Sequence, residues 1–337
     1  MVYDNLVKYI LDNDGLIQPI YIDYKDAKGT GLCNGSLLYV NDTLHLILRN
    51  VEYTLHQCQK NKKYQSTYEG ALSYYHRDDV LKLITNNFYC VLDEETLKIK
   101  DYKKIDTSKL DTEPIWTFVG LEDARLVYWD NKYYGVGVRR DCNTTGQGRM
   151  EFSGLDIQDD NVYEVTRNRI EVENKDSYCE KNWMPIKDKP FHFVKWTNPT
   201  EIVVVDISKN TSRQIYLSTE VKDLPFDLRG GSQLIKWYDD TYLAVVHECH
   251  FTPNDVNGFK DGVYTHRFVI WNNDWSLKYI SQSFNFMTAD VEFCIGLEEI
   301  NDDVVIVFGF QDNGCYAVKV SKKNLNILIW EVLMNVL

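Results

Sequence analysis

The sequence predicts an all-β fold, specifically a five-bladed β-propeller with a short N-terminal helix. A unit made of a strand, a tight Asp/Asn turn and a very apolar strand occurs five times along the 337 residues. The units recur at the spacing of a four-stranded sheet, about 40–60 residues per blade. No segment after residue 12 has the periodicity of a helix. A two-domain β-sandwich is the alternative, but five similar units favour one propeller domain over residues 1–337.

The N-terminal residues 1–12 have the pattern of a short amphipathic helix, without a basic start or a long apolar run. No apolar run reaches the roughly 18 residues that cross a bilayer, so we expect no membrane span. The eight cysteines are scattered and form no C-x-x-C pair. They indicate reduced thiols, and we therefore expect a cytoplasmic protein.

The first unit contains one hairpin and a less regular continuation. Ser36–Val40 and Thr43–Arg49 are predicted strands joined by a turn at Asn41-Asp42, and the second strand ends in Arg49. Residues 52–118 are mixed, and two or three strands are predicted there, around Leu72–Tyr75 and Phe88–Leu92.

The second unit is the hairpin on which the functional interpretation depends. Leu126–Trp129 and Tyr133–Val138 are rich in β-branched and aromatic residues, and a short turn at residues 130–132 joins them. Charged residues stand at both open ends of this hairpin: Glu122, Asp123, Arg125, Arg139, Arg140 and Asp141. This arrangement suits acid/base chemistry on an anionic or polyhydroxylated ligand. The alternative is a surface cluster of salt bridges.

The remaining units follow outer strands predicted between Met150 and Val172. Each repeats the pattern of strand, tight turn and apolar strand. Their strand segments are Phe191–Trp196 with Glu201–Asp206, Arg229–Trp237 with Tyr242–His247, and Val291–Leu297 with Val304–Asp312.

In a propeller, polar groups at the same end of each blade converge on the central channel, although they are far apart in sequence. The convergent set predicted here is Arg49, Asp123, Arg139 or Arg140, Lys181, Arg229 or His247, and Asp312. Strand alternation allows only one of Arg139 and Arg140 to face the channel. Like charges held together raise the free energy unless a ligand compensates them, so the cluster indicates a binding site.

Composition and local motifs exclude several classes of function. The formal charge of −13 argues against nucleic acid and anionic membranes as partners. Sugars remain compatible with 23 Tyr and 8 Trp. His247 and Cys249 share one strand face while Glu248 and His250 share the other, so one metal cannot take all four. Gly230-Gly231-Ser232 lacks the spacing of a serine-hydrolase elbow, and no glycine-rich segment opens a helix for a nucleotide cofactor.

The segment Gly120-Leu121-Glu122-Asp123-Ala124-Arg125 resembles the acidic motif of glycoside hydrolase family 130, the five-bladed β-mannoside phosphorylases, which usually have proline at the position of Ala124. Glu292–Gly296 followed by Phe308–Asp312 resembles the last blade of that family. Arg49, Lys181 and His247 stand where the family has an arginine, a lysine and a histidine. Glycosyltransferase family 108 shares this architecture. The resemblance covers residues 31–320.

The resemblance implies a role for each matched residue. Asp123 would be the general acid, and Asp312 would bind sugar hydroxyls. Arg49, Lys181 and Arg139 or Arg140 would hold phosphate or a phosphorylated donor. The chain departs from the family on blade three, where Trp196-Thr197-Asn198-Pro199 replaces a His-Arg-Pro stretch. This departure argues against inorganic phosphate as co-substrate. The segments Glu180–Trp183 and Tyr264–Phe268 resemble propeller modules linked with glycosyltransferases, which implies an activated sugar in place of phosphate.

We expect a glycosyl-transferring enzyme that acts on a mannoside-like sugar or oligosaccharide, with a nucleotide sugar or phosphate as partner and no cofactor or metal. A propeller module that binds glycan or protein without catalysis is the alternative class, and a glycoside hydrolase is the third. The sequence leaves the sugar, the linkage, the donor and the oligomeric state open.

Overall fold

The structure is a computed structural model that describes residues 3–28, 31–54, 75–76, 82–253 and 260–337. Helix α1 (Leu6–Asp12) follows Asn5, whose side chain accepts a hydrogen bond from the Lys8 N–H and so caps the helix. The predicted N-terminal helix is thereby confirmed over these residues. A short strand, β1 (Leu16–Pro19), comes next in the chain.

The strands of blades one and two follow in chain order. Blade one contains β2 (Gly31–Val40), β3 (Thr43–Val51), β6 (Leu83–Leu92) and β7 (Ile99–Asp106), and its loop region adds the pair β4 (Tyr53–Thr54) and β5 (Tyr75–His76). A two-residue strand, β8 (Phe118–Val119), precedes blade two. Blade two contains β9 (Leu121–Trp129), β10 (Lys132–Arg139), β11 (Arg149–Ile157) and β12 (Val162–Arg169).

Blades three to five complete the ring. Blade three contains β13 (Met184–Pro185), β14 (His192–Trp196), β15 (Glu201–Asp206) and β16 (Thr211–Leu217). Blade four contains β17 (Ile235–Lys236), β18 (Tyr242–Pro253), β19 (Lys260–Trp271) and β20 (Leu277–Ile280). Blade five contains β21 (Glu292–Ile300), β22 (Asp303–Phe310), β23 (Gly314–Ser321) and the N-terminal strand β1, which pairs antiparallel with β23.

The tight turns form where the sequence predicts them because Asn and Asp tolerate the left-handed backbone region. In the hairpin of β2 and β3, Asn41 and Asp42 have φ of 51° and 53°. In the hairpin of β9 and β10, Asp130 and Asn131 have φ of 51° and 58°. These turns confirm the predicted hairpins of the first two units.

Apolar clusters fill the spaces between neighbouring blades and hold the ring together. One cluster joins Leu46 and Leu48 of blade one to Val305 and Val307 of blade five, which closes the ring between the first and last blades. Comparable clusters lie between each other pair of adjacent blades. The five-bladed propeller is thus the observed fold, and the closure by β1 supports our proposal that residues 1–337 form one domain.

The structure differs from the prediction in two places. A second helix, α2 (Lys322–Ile327), follows β23 and continues into a π-helical turn at Leu328–Val332. The prediction of no helix after residue 12 is therefore wrong, because six helical residues are too few to give a visible periodicity. In blade three the predicted hairpin is β14 with β15, while the inner strand β13 has only two residues. The strand predicted around Leu72–Tyr75 lies mostly outside the described residues.

No helix in the described part of the chain is long and apolar enough to cross a membrane.

Candidate active site

Asp123 occupies a β-bulge on the innermost strand of blade two. The pairing of β9 with β10 shifts register between Val136 and Val138, and Asp123 has φ of 50°. A bulge of this kind redirects a side chain, and aspartate is one of the residues that adopt this backbone region at small cost. Gly137 faces the bulge, and a Cβ there would lie 2.4 Å from the Glu122 carbonyl oxygen, so only glycine fits without a shift. The local sequence thus builds the bulge that places Asp123.

One carboxylate oxygen of Asp123 is held by two neighbours from blade one. Its Oδ1 lies 2.8 Å from Arg49 Nη1 and accepts a hydrogen bond of 2.8 Å from Asn34 Nδ2. The Asp123 and Arg49 side chains are 10% and 5% exposed, so solvent screens this ion pair weakly. The other oxygen, Oδ2, has no hydrogen-bond partner among the described residues, and it is therefore available to a ligand.

The environment of Asp123 favours the ionised carboxylate. Burial alone would raise the pKa of Asp123, but the charges of Arg49 and Arg125 outweigh burial and hold the pKa below its ordinary value. Arg49 also donates to Tyr53 Oη at 2.7 Å and to Thr85 Oγ1 at 3.3 Å. The guanidinium of Arg49 is thus fixed against Asp123 before any ligand arrives.

Arg125 lies under Asp123 and links the starts of three blades. Its Nη1 donates to the Asp123 carbonyl oxygen at 2.7 Å, and its Nη2 donates to the Gly231 carbonyl oxygen at 3.0 Å. Both terminal nitrogens also lie 3.4 Å from Asn182 Oδ1. Burial lowers the pKa of Arg125 to about 10, which leaves it charged at neutral pH. The sequence indicates Arg125 only as one of the charged residues at the hairpin end, because Gly231 and Asn182 are distant from it along the chain.

Asp312 and Glu122 bring two further carboxyl groups to the same region. Asp312 follows β22, and its backbone carbonyl lies against Gly31 at the start of β2. Burial, together with the charges of Asp123 and Glu122, raises the pKa of Asp312 above its ordinary value. The half-buried Glu122 carboxylate has no hydrogen bond within the described ranges. Glu122 is a candidate that our set of convergent residues omitted, although its place next to Asp123 could have indicated it.

Lys181 and Arg229 supply the uncompensated positive charge of this region. Lys181 is exposed at the start of blade three, within electrostatic range of Asp123, Asp312 and His247. Arg229 is half-buried at the start of blade four, and its backbone exchanges hydrogen bonds with that of His247. In the part of the chain that the structure describes, neither side chain forms an ion pair. The structure thus brings Arg49, Asp123, Lys181, Asp312, Arg229 and His247 to one face.

His247 is buried and neutral. Burial, with the nearby charges of Lys181 and Arg229, holds the pKa of His247 well below its ordinary value. Its ring stacks on Tyr264 at a centroid distance of 5.3 Å and contacts the edge of Phe293 at 4.7 Å. Its Nδ1 has no hydrogen-bond partner among the described residues. His247 therefore presents a neutral imidazole, not a second anion-binding charge.

The structure separates Arg139 from this group. Arg139 is buried on the face of blade two that is turned to blade one, where it pairs with Glu151 and lies 3.6 Å from Asp141 and 3.9 Å from Glu164. The interpretation of Arg139 as a ligand-binding residue at the central site is therefore corrected. Strand alternation predicts on which face of the sheet the Arg139 side chain lies. In this structure that face is turned to the space between two blades and not to the central channel.

Arg140 lies at the rim of the site and already has several partners. It donates to the Gly146 carbonyl oxygen at 3.0 Å and to Tyr178 Oη at 2.7 Å, and its guanidinium lies 4.6 Å from the centre of the Phe118 ring. Arg140 and Lys181 both act electrostatically on Cys179, so Arg140 lies near the start of blade three. Its contacts fix the position of its guanidinium there.

Over the described residues, no group of three or more His, Cys, Asp or Glu side chains is placed to hold a metal ion. The seven cysteines in these ranges are free thiols.

No protein-family model and no curated protein matches the chain. Solved structures do match. The chain is similar to a β-1,2-mannobiose phosphorylase from Listeria innocua, with 12% identity over 93% of each chain and a TM-score of 0.53. It is also similar to RS223-β-xylosidase, with 12% identity over 89% of this chain and 94% of that chain and a TM-score of 0.53. A glycosyl hydrolase from Bacteroides ovatus matches at 10% identity over 87% and 85%, also with a TM-score of 0.53. At these identities the likeness establishes the propeller fold.

Proposed function

We propose that the chain is a carbohydrate-active enzyme that transfers a glycosyl group, a mannosyl group in particular, between a glycoside and a phosphate-containing partner. The observation that carries this proposal is Oδ2 of Asp123, which has no hydrogen-bond partner within the described residues. Asp123 lies within electrostatic range of Asp312 and of Lys181, which forms no ion pair within the same residues. Phosphorolysis requires a carboxyl group that transfers a proton and a cation that binds the phosphate. The similar protein from Listeria innocua is a β-1,2-mannobiose phosphorylase.

The proposed reaction is a single inverting displacement. Asp123 donates its proton to the glycosidic oxygen, the bond from that oxygen to the anomeric carbon breaks, and a phosphate oxygen forms the new bond on the opposite face. The products are a glycosyl phosphate and the released sugar. With a nucleotide sugar the same groups act in the synthetic direction. Asp123 accepts the proton of the acceptor hydroxyl, the acceptor oxygen bonds to the anomeric carbon, and the bond from that carbon to the phosphate oxygen breaks, which releases the nucleoside diphosphate.

Asp123 is ionised in the unliganded site, so phosphorolysis requires that it first take up a proton. An anion bound by Lys181 and Arg49 would favour this proton uptake, because it neutralises the charges that hold the pKa of Asp123 below its ordinary value. Phosphate binding and protonation of the acid are then coupled, and Asp312 is left to accept hydrogen bonds from sugar hydroxyls.

The ionised state of Asp123 also favours a second candidate, a propeller that binds a glycan without catalysis. In that case the Asp123–Arg49 pair would be a permanent hydrogen-bonding surface. The two candidates differ in turnover, not in ligand binding.

The test is product analysis by NMR after incubation of the protein with β-mannobiose, with and without inorganic phosphate and with a nucleotide sugar. Phosphorolysis with inversion yields α-mannose 1-phosphate, and transfer consumes the nucleotide sugar. Binding of a mannoside without any product supports the non-catalytic candidate, and free mannose formed without phosphate supports hydrolysis. We also propose that the reaction takes place in the cytoplasm, because the eight cysteines are scattered along the sequence without a C-x-x-C pair.

A further inference from the structure

A cavity of about 460 Å³ lies between the starts of blades three and four. One of its lining residues, Lys181, is within electrostatic range of Asp123 and Asp312. We call it the Trp196 pocket and define it by the residues that the argument uses: Lys181, Lys195, Trp196, Asn198, Phe226 and Arg229. Its size falls within the usual range for small organic ligands, roughly 300–1,000 Å³. A single inorganic anion would leave most of this space unfilled.

Aromatic side chains form the walls of the Trp196 pocket. Trp196 ends β14, where it belongs to the same face of the propeller as Arg49 and His247, and it is 51% exposed. Phe226 lines the pocket, with the Arg267 guanidinium 3.7 Å from its ring centre. Arg267 is itself fixed by an ion pair with Glu248. A half-exposed indole beside a second aromatic ring offers a stacking surface for a flat or ring-shaped group.

The wall that carries Phe226 is fixed to blade three. Asn198 Nδ2 donates to the Lys222 carbonyl oxygen at 2.8 Å, and the Lys222 N–H donates back to Asn198 Oδ1 at 2.9 Å. These two hydrogen bonds hold the segment before Phe226 close to the end of β14. The pocket is therefore formed before a ligand binds, which lowers the entropic cost of binding.

The cations of the pocket differ in whether they are compensated. Lys195 lies 3.5 Å from Glu180 and 3.7 Å from Glu201, so its charge is already paired. Lys181 and Arg229 have no ion pair in the described ranges, in a chain whose formal charge is −13. Two carboxylates, Glu180 and Asp227, also line the pocket, so its three cations exceed its carboxylates by one. This excess of positive charge beside an aromatic wall favours an anion that carries an organic group.

We propose that the Trp196 pocket binds an organic phosphate, with the phosphate between Lys181 and Arg229 and the attached ring stacked on Trp196. This inference rests on the proposed function, since the phosphate end of the ligand lies beside the reacting carboxylates. The shared chemistry is a phosphate ester of a ring-bearing molecule. It covers a hexose phosphate and a nucleoside diphosphate, which the test separates.

Isothermal titration calorimetry with inorganic phosphate, mannose 1-phosphate and the nucleoside diphosphates ADP, GDP and UDP tests the proposal. The variants are Trp196→Ala and Arg229→Met. Their matched controls are Trp330→Ala, at an exposed tryptophan on the C-terminal helical turn, and Arg213→Met, at an exposed arginine on β16. Thermal unfolding of each variant shows that it is folded before titration.

We expect Trp196→Ala to weaken the binding of at least one organic phosphate about tenfold, the usual effect of a lost stacking contact, and to leave inorganic phosphate unaffected. Arg229→Met weakens both kinds of ligand, and the two controls weaken neither. The organic phosphate whose affinity falls in Trp196→Ala shows whether the ligand is a hexose phosphate or a nucleoside diphosphate. Equal affinity of wild type and Trp196→Ala for every organic phosphate, or no binding of any of them, overturns the inference. If either result is obtained and Trp196→Ala still turns over a mannoside, the inference about the pocket fails while the proposed function stands.

Discussion

The Asp123 carboxylate lies 2.8 Å from the guanidinium of Arg49, although the two residues belong to neighbouring blades and are 74 positions apart in the chain. The pair joins β9 of blade two to β3 of blade one at the central channel. It also fixes the ionised form of Asp123, while Asp312 nearby is pushed towards its protonated form. The two carboxyl groups therefore contribute to stability with opposite signs.

The first prediction concerns this difference in sign. The pKa of Asp123 is lowered in the folded protein, so Asp123 adds stability above its unfolded pKa, and that stability is lost as pH falls through the folded pKa. The pKa of Asp312 is raised by burial, so ionised Asp312 destabilises the fold at neutral pH. At pH 7 we expect Asp123→Asn to cost about 3 kcal/mol and to lower Tm. Asp312→Asn should raise Tm. Equal changes of the same sign in calorimetry would contradict this account.

The second prediction concerns the Arg49 side chain. Arg49→Lys keeps the charge but cannot maintain the contacts with Asp123, Tyr53 and Thr85 together, because an ammonium lacks the planar donor array of a guanidinium. We expect turnover to fall at least tenfold with a smaller change in Tm than Arg49→Met produces. Steady-state kinetics and thermal unfolding of both variants measure the difference. Wild-type turnover in Arg49→Lys would remove Arg49 from the positioning of Asp123.

The third prediction concerns Arg125, which holds the backbone of the Asp123 bulge. Arg125→Met leaves the carbonyl oxygens of Asp123 and Gly231 buried without their donor. Each unsatisfied carbonyl costs about 1–3 kcal/mol, so we expect a lower free energy of unfolding in urea and reduced turnover. Arg125→Lys should recover part of the stability through one of the two carbonyls. If Arg125→Met unfolds like wild type, these contacts do not stabilise the bulge.

The fourth prediction separates Arg139 from the ligand site. Arg139→Gln leaves the buried Glu151 without its closest cation, and breaking such a pair costs about 3–5 kcal/mol. We expect a marked fall in Tm. For the folded variant, the KM for phosphate should stay at the wild-type value, because Arg139 does not belong to the cluster around Asp123. A large rise in that KM at unchanged stability would return Arg139 to the ligand site.

The hairpins, their turns and the shared polar face could be predicted from the sequence because they depend on local chemistry. Asn41-Asp42 and Asp130-Asn131 take up left-handed turns, and the residues at the strand ends then follow from the blade topology. Helix α2 and the short inner strand of blade three could not be predicted, because both are too short to show a pattern. Their stability comes from packing against neighbouring blades.

The side-chain pairings were less accessible than the fold. Arg139 and Arg125 belong to a charged hairpin in sequence. Arg139 pairs with Glu151 of the next strand in its own blade, and Arg125 binds the carbonyl oxygen of the distant Gly231 as well as that of Asp123. Trp196 stands out in sequence only as a departure from a resembling family, and its role in a pocket depends on Arg229 and Phe226 from the next segment. Contacts between strands and between blades determine these pairings, and no local sequence pattern encodes them.

The central claim is that the propeller face around Asp123 catalyses glycosyl transfer. The most direct measurement is the turnover number of wild type, Asp123→Asn and the control Asp159→Asn, an exposed aspartate in the turn before β12, with the donor identified by product analysis. We predict that Asp123→Asn lowers turnover by at least about 100-fold, the contribution of a general acid, while Asp159→Asn matches wild type. Turnover of folded Asp123→Asn within a factor of two of wild type would contradict the claim.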